Sequence, residues 1–134
     1  MMASNRCFID SNIPLYLISG SPSKSSKANE IVSAGPLISV QVLNEFVSVA
    51  RKKYNKDWND VLDVLDFVRE YCEVVPLTIE THERALEFSS TSFINIYDAN
   101  ILAAAELSGC DTLYTEDLNN GQRIGRVNIV NPFV

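Results

Sequence analysis

Histidine occurs once in this 134-residue chain and cysteine three times. His82 and the widely spaced Cys7, Cys72 and Cys110 offer none of the ligand spacings that zinc sites use, which sets aside a zinc hydrolase of the usual kind. An odd number of scattered cysteines in apolar surroundings instead suits reduced, core-filling thiols in a cytoplasmic protein. Apolar runs of ~18 residues are missing as well, so no membrane span is expected. The opening MMASNRCFID lacks the apolar stretch of ~7–15 residues that a secretory signal needs. Internal repeats and low-complexity segments are absent, and the length suits a single domain over 1–134. Basic residues are also few, 11 against 17 acidic ones, for a net charge of −6. That balance argues against a nucleic-acid binder unless the charge is unevenly spread. It is uneven: Arg51, Lys52, Lys53 and Lys56 form one basic cluster, and Arg123 and Arg126 a second.

Strand and helix patterns alternate along the chain. RCFID reads as a short buried strand, and NIPLYLI as a helix with Pro14 in its first turn, where a missing N–H is harmless. SGSPSKSS is a turn-rich break before a short helix closed by Gly35, and PLISV is a second strand. Ser39 is placed to cap a helix over Val40 to Tyr54, with Val42, Leu43, Phe46, Val47 and Ala50 at helical spacing. Asp57 to Cys72 repeats the pattern as a strongly amphipathic helix. EVVPL is a third strand, Thr78 or Thr81 opens a helix through Phe88, and Asp98 is a candidate cap for ANILAAAELSG. DTLYT and RVNIVNP supply a fourth and a fifth strand. Such alternation indicates an α/β domain with a small, mostly parallel sheet of about five strands.

In an open parallel sheet, ligands bind beyond the carboxyl ends of the strands. Asp10 follows the first strand, Asp117 follows LYT of the fourth, Asp98 opens the helix leading into that strand, and Glu45 lies in the second turn of the helix after the second strand. Each has an ordinary alternative. Asp98 serves equally as a cap, Asp117 as a turn residue and Glu45 as a solvated helix position. Asp10 resists such a reading, because an apolar strand ending in a carboxylate buries a charge at a cost unless the charge has a partner. One architecture brings all four to the same sheet edge, where like charges repel unless a cation intervenes. Oxygen-only ligands suit Mg²⁺ or Mn²⁺, whose chemistry is activation of water for attack on a phosphodiester.

FIDSN, LNEF, YDANILAAA and LYTEDLNNGQ resemble, in order and spacing, the four acidic motifs of PIN-domain nucleases, and the VapC-type toxins of bacterial toxin–antitoxin modules in particular. The resemblance spans nearly the whole chain, including the closing IVNPF. It implies a PIN-like three-layer α/β/α fold and Mg²⁺-dependent endoribonuclease activity. Matched position by position, Asp10, Glu45, Asp98 and Asp117 become the metal-binding acids, with Asn12 and Thr115 as supporting polar residues. Glu116 competes with Asp117 for the fourth acidic position, and the threonine-any-aspartate pattern favours Asp117. The resemblance further implies a homodimer, and a cognate antitoxin whose tail covers the acids with an arginine. The basic clusters Arg51, Lys52, Lys53, Lys56 and Arg123, Arg126 are the candidate RNA grip. The rivals are a catalytically silent PIN-like binding or scaffold domain, and a flavodoxin-like phosphoryl-transfer domain with an aspartyl nucleophile. The second would want adjacent acids after the first strand or a lysine after a late one, and DSN and YTED supply neither.

Overall fold

The computed structural model describes residues 6–134, so residues 1–5 of the amino-terminal stretch considered for a secretory signal lie outside it. In chain order the elements are β1 (Cys7–Ile9), α1 (Asn12–Ser19), α2 (Pro22–Ser33), β2 (Leu37–Ser39), α3 (Val40–Lys52), α4 (Trp58–Tyr71), β3 (Glu73–Val75), α5 (Ile79–Ser92), α6 (Ile96–Leu107), β4 (Thr112–Tyr114), β5 (Arg123–Ile124) and β6 (Val127–Val130). The strands form one sheet in the order β3-β2-β1-β4-β6-β5. All neighbouring pairs are parallel except β5 with β6. The expected mostly parallel α/β fold is therefore present. The additional strand is β5, two residues within the segment 115–126 that turn chemistry alone marks as irregular.

Successive residues Phe8 and Ile9 are both fully buried, and Leu37 and Ile38 are both buried, so both faces of the sheet are covered. Helices α1 to α4 pack among themselves on one side, and α5 packs against α6 on the other. Helix α6 tolerates this central place because Ala99, Ala103, Ala104 and Ala105 are small enough for close approach. A satellite core of Phe46, Ala50 and Val61 fills the space between α3 and α4, with Leu15 and Ile18 of α1 against it. Cys72 and Cys110 are buried thiols, raised by desolvation to about 12 and about 11, which leaves them protonated and inert. Among the described residues no helix is long and apolar enough to cross a membrane.

The caps follow local chemistry with one correction. Ser21, Ser39, Asp57 and Thr78 each accept a backbone N–H at a helix start. Helix α6, however, begins at Ile96, and its cap is Asn95, whose Oδ1 accepts from Tyr97 N and Asp98 N at 3.0 Å each. Asp98 is thus released from capping and stands in the first turn, where the helix dipole favours a negative charge. At the far edge Glu106 locks α6 to α5 and to the β5–β6 hairpin. It accepts Arg84 Nε at 2.6 Å and Nη2 at 3.2 Å, and also Arg126 N at 3.0 Å. Gly125 makes that close approach possible, since a Cβ there would fall 2.2 Å from Glu106 Oε2.

The strand order fixes where a ligand can bind. The chain winds outward from β1 through β2 to β3, then crosses to β4 on the other side of β1. The reversal makes the carboxyl ends of β1 and β4 the topological switch point of the sheet.

Candidate active site

Asp10 stands at that point. Its N–H still donates to Tyr114 O at 3.1 Å, so the β1–β4 ladder holds its backbone one residue past the strand. Its side chain is buried, with 2% of the residue exposed. Oδ1 accepts Ser11 N at 2.6 Å and Oδ2 accepts the Thr115 hydroxyl at 2.8 Å. Burial outweighs both bonds, and the charges of Asp117 and Glu45 add to it, so the Asp10 carboxyl is raised to about 7.

Thr115 uses every bonding position it has. The hydroxyl donates to Asp10, and Oγ1 accepts Asp117 N at 3.0 Å and Asn12 Nδ2 at 3.4 Å. Asn12, on the first turn of α1, also donates from Nδ2 to Asp117 Oδ2 at 3.3 Å. Asp10, Asn12, Thr115 and Asp117, spread over more than a hundred positions of sequence, are in this way one hydrogen-bonded unit. Glu45 and Asp98 complete the group. Gln41 Nε2 donates to Glu45 Oε2 at 3.2 Å and to Tyr97 O at 2.9 Å, tying α3 to the start of α6. Asn95 Nδ2 donates to Asp98 Oδ2 at 2.8 Å. Burial raises Glu45 above the usual carboxylate range, and Asp98 and Asp117 raise it further. Asp98 is raised by burial and then by Asp117.

The four sequence-marked acids thus feel one another's charge, and each accepts from a neutral donor. Among the described residues none of the four has a lysine or arginine partner within ion-pair distance, although five ion pairs form elsewhere. The Asn12 Oδ1 atom is buried beside them without a hydrogen-bond partner among the described residues. An uncompensated cluster of hard oxygens with a spare carbonyl suits a hard divalent cation. Among the described residues no three such side chains stand as a preformed metal cage.

Glu116 does not join the four. Its carboxylate accepts the Tyr16 hydroxyl and pairs with Lys24 at 3.5 Å. The basic residues also divide. Lys52 and Lys53 are exposed at the end of α3, and Lys52 lies about 10 Å along that helix from Glu45 at 1.5 Å per residue. Arg51 is committed elsewhere: it donates to Lys56 O at 2.8 Å and stacks on Trp58 at 4.6 Å. Arg123 aligns with Asn128, which pairs with Thr112 at the start of β4, and Arg126 follows in the next turn. The arginine pair therefore stands at the amino edge of the sheet, and the structure does not bring it to the acids. Sequence reading missed Gln41 and Asn95. A Gln–Glu pair at i, i+4 was the available signal for Gln41. A cavity of about 840 Å³ lined by Arg6, Cys7, Lys27, Leu37 and Tyr114, among others, contains none of the four acids.

The PIN domain family model matches residues 7–125 of the chain. Solved structures share the fold. A toxin–antitoxin complex from Klebsiella pneumoniae is similar at TM-score 0.68 and 24% identity, over 94% of this chain and 97% of that one. The sarcin–ricin loop cleaving toxin VapC20 of Mycobacterium tuberculosis is similar at TM-score 0.68 and 17% identity, over 83% and 89%. VapBC2 of Rickettsia felis, bound to a DNA fragment from its promoter, is similar at TM-score 0.65 and 20% identity, over 92% and 96%. No curated protein matches the chain in sequence.

Proposed function

The chain belongs to the PIN domain family, and from that premise we propose that it is a cytoplasmic, divalent-cation-dependent endoribonuclease, the toxin of a type II toxin–antitoxin pair. The observation that carries this reading is the set of four carboxylates at the switch point, each held by a neutral donor and none neutralised by a cation among the described residues. Asp10, Asp98 and Asp117, with Glu45 beside them, would hold Mg²⁺ or Mn²⁺. When bound, the ion supplies Lewis acidity toward a phosphodiester oxygen and makes water a better nucleophile at neutral pH.

The chain's own groups do the rest. Ser11 N–H and the Thr115 hydroxyl fix both oxygens of Asp10, so its plane is set before any ligand arrives. Gln41 occupies Oε2 of Glu45, which leaves Oε1 to accept a proton from the attacking water. Burial first, and then the charges of Asp98 and Asp117, raise the Glu45 carboxyl from its ordinary value, which makes it a stronger base. Asn12 and Asn95 orient Asp117 and Asp98 without neutralising them. Lys52, Lys53 and Lys56, about 10 Å or more from Glu45 along and beyond α3, lie too far for the chemistry and at a suitable distance to grip phosphates a few nucleotides away.

The solved structures with the same fold include an RNA-loop-cleaving toxin and toxin–antitoxin complexes, which supports an RNA substrate and an antitoxin partner here. An arginine from that partner among the unpaired carboxylates would satisfy them bidentately and displace the cation. A homodimer is supported by exposed apolar side chains on two helices: Ile79 and Leu86 of α5 at 72% and 48% exposure, and Trp58 and Leu62 of α4 at 52% and 51%. Helix α3 contributes less, since its Val42, Phe46 and Ala50 are fully buried.

Incubation of the purified protein with structured RNA tests the reading. Cleavage is expected with Mg²⁺ or Mn²⁺ and none with EDTA, whereas cleavage unaffected by EDTA would sink the metal mechanism. Absence of cleavage on any RNA would favour the silent-domain rival. In the same assay Lys52→Gln, Lys53→Gln and Lys56→Gln together should weaken RNA binding and flatten its salt dependence, because fewer counterions are released. An unchanged affinity and salt slope would remove that patch from the grip.

A further inference from the structure

Asp117 is exposed and sits on a bend outside any helix or strand, where no sheet ladder holds it and its N–H is tied only to the Thr115 hydroxyl oxygen at 3.0 Å. The residue before it is anchored far more firmly. Glu116 enters a cluster built from three separate parts of the chain: Tyr16 on α1, Lys24 on α2 and Phe133 near the end. Tyr16 donates its hydroxyl to Glu116 Oε1. Lys24 Nζ donates to Tyr16 Oη at 3.1 Å and to Glu116 Oε2 at 3.5 Å. The same ammonium stands 4.7 Å from the Tyr16 ring centre and 5.8 Å from that of Phe133. The two rings meet edge to face at 4.7 Å. An exposed lysine–glutamate pair alone contributes little. Here the ammonium is held by a carboxylate, a phenol and two ring faces, which restricts both partners.

Residues 116–118 form a bend directly after Thr115. A clamp on Glu116 therefore fixes the backbone at the start of that bend and, with it, the direction of Asp117. We propose that Tyr16, Lys24 and Glu116 form a strut that orients Asp117 toward Asp10 and the other acids, making these three residues positioning residues for the cation. The strut explains why two adjacent acids have different fates: Glu116 is neutralised by Lys24, and Asp117 stays uncompensated. The inference rests on the metal reading of the site, but the geometry of the strut does not.

Two measurements separate those layers. In EDTA, the NMR order parameter of the Asp117 amide should fall from the rigid range near ~0.85 to below ~0.6 in Tyr16→Phe, with β1 and β4 amides unchanged. Mn²⁺ titration of the same variant should show roughly tenfold weaker binding, the usual scale for losing a group that orients a ligand. Lys24→Met is the sharper variant. It makes the site more negative, so a purely electrostatic role for Lys24 predicts tighter Mn²⁺ binding, whereas the strut predicts weaker binding. Lys24→Arg should restore most of the loss. An unchanged order parameter in Tyr16→Phe, or Mn²⁺ affinity equal to or tighter than wild type in Lys24→Met, overturns the strut. Wild-type protein that takes up no Mn²⁺ overturns the metal reading instead, and the order parameter alone then decides the strut.

Discussion

Asp10→Asn and Asp98→Asn should each lower RNA cleavage at saturating Mg²⁺ by a factor of about 100 or more while leaving the fold intact. A bound cation contributes several kcal/mol of charge stabilisation to a phosphodiester transition state, and each 1.36 kcal/mol is tenfold in rate. The asparagine keeps the shape and most of the hydrogen bonds. At position 10, its Oδ1 still accepts Ser11 N, while its amide competes with Asn12 Nδ2 at 3.4 Å for Thr115 Oγ1, whose acceptor positions are both in use. At position 98, the Asn95 amide still finds an oxygen. The main loss in both variants is the charge. Because the change removes one of several mutually repelling carboxylates, the metal-free variants should unfold at a higher urea concentration than wild type near neutral pH. Circular dichroism with urea in EDTA reads the stability, and a fluorescent RNA substrate reads the activity. Variants that unfold in buffer would show these aspartates to be structural, and full activity in Asp10→Asn would remove it from the site.

Much of this candidate site is legible in the sequence because three of its acids are tied to regular elements. Asp10 ends an apolar strand, Glu45 lies within a helix whose cap and period are both plain, and Asp117 follows the fourth strand at a fixed offset through Thr115. A parallel sheet with a switch point converts such linear placement into spatial convergence. Asp98 was located but its local role was misread. Asn95 and Asp98 are both good caps, and the two apolar residues between them, one of them the exposed Tyr97, do not reveal which one starts the helix. The placement of Arg123 and Arg126 depended on β5, two residues long and antiparallel, which returns the chain to the amino edge of the sheet. No periodicity exists over two residues. The network of Tyr16, Lys24 and Glu116 joins positions about a hundred residues apart, and long-range side-chain pairing of this kind leaves no mark on local pattern.

In EDTA, the stability of the wild-type protein should fall as pH rises from about 4 to about 7, and Asp10→Asn should remove most of that fall. The folded-state carboxyl of Asp10 is raised to about 7 by burial first, then by Asp117 and Glu45, while the unfolded chain ionises near the ordinary aspartate value of 3.8. The folded state therefore binds more protons than the unfolded state across that window, and stability must decline with pH. Below about pH 4 the carboxyl is protonated in both states and its contribution is fully present. Above about pH 7 it is ionised in both, and the loss is complete. At 1.36 kcal/mol per pH unit the span corresponds to about 4 kcal/mol, a large share of a small domain's total stability. Glu45 and Asp98, raised in the same direction, steepen the decline. A divalent cation should reverse it. Metal and proton compete for the same oxygens, so saturating Mg²⁺ should stabilise the protein little at pH 5 and progressively more toward pH 8. Urea midpoints measured at half-unit pH steps, with EDTA and with Mg²⁺, for wild type and Asp10→Asn, give the four curves. Wild-type and Asp10→Asn curves of equal slope in EDTA would show that Asp10 ionises normally in the fold. A Mg²⁺ stabilisation independent of pH would place the cation away from these carboxylates.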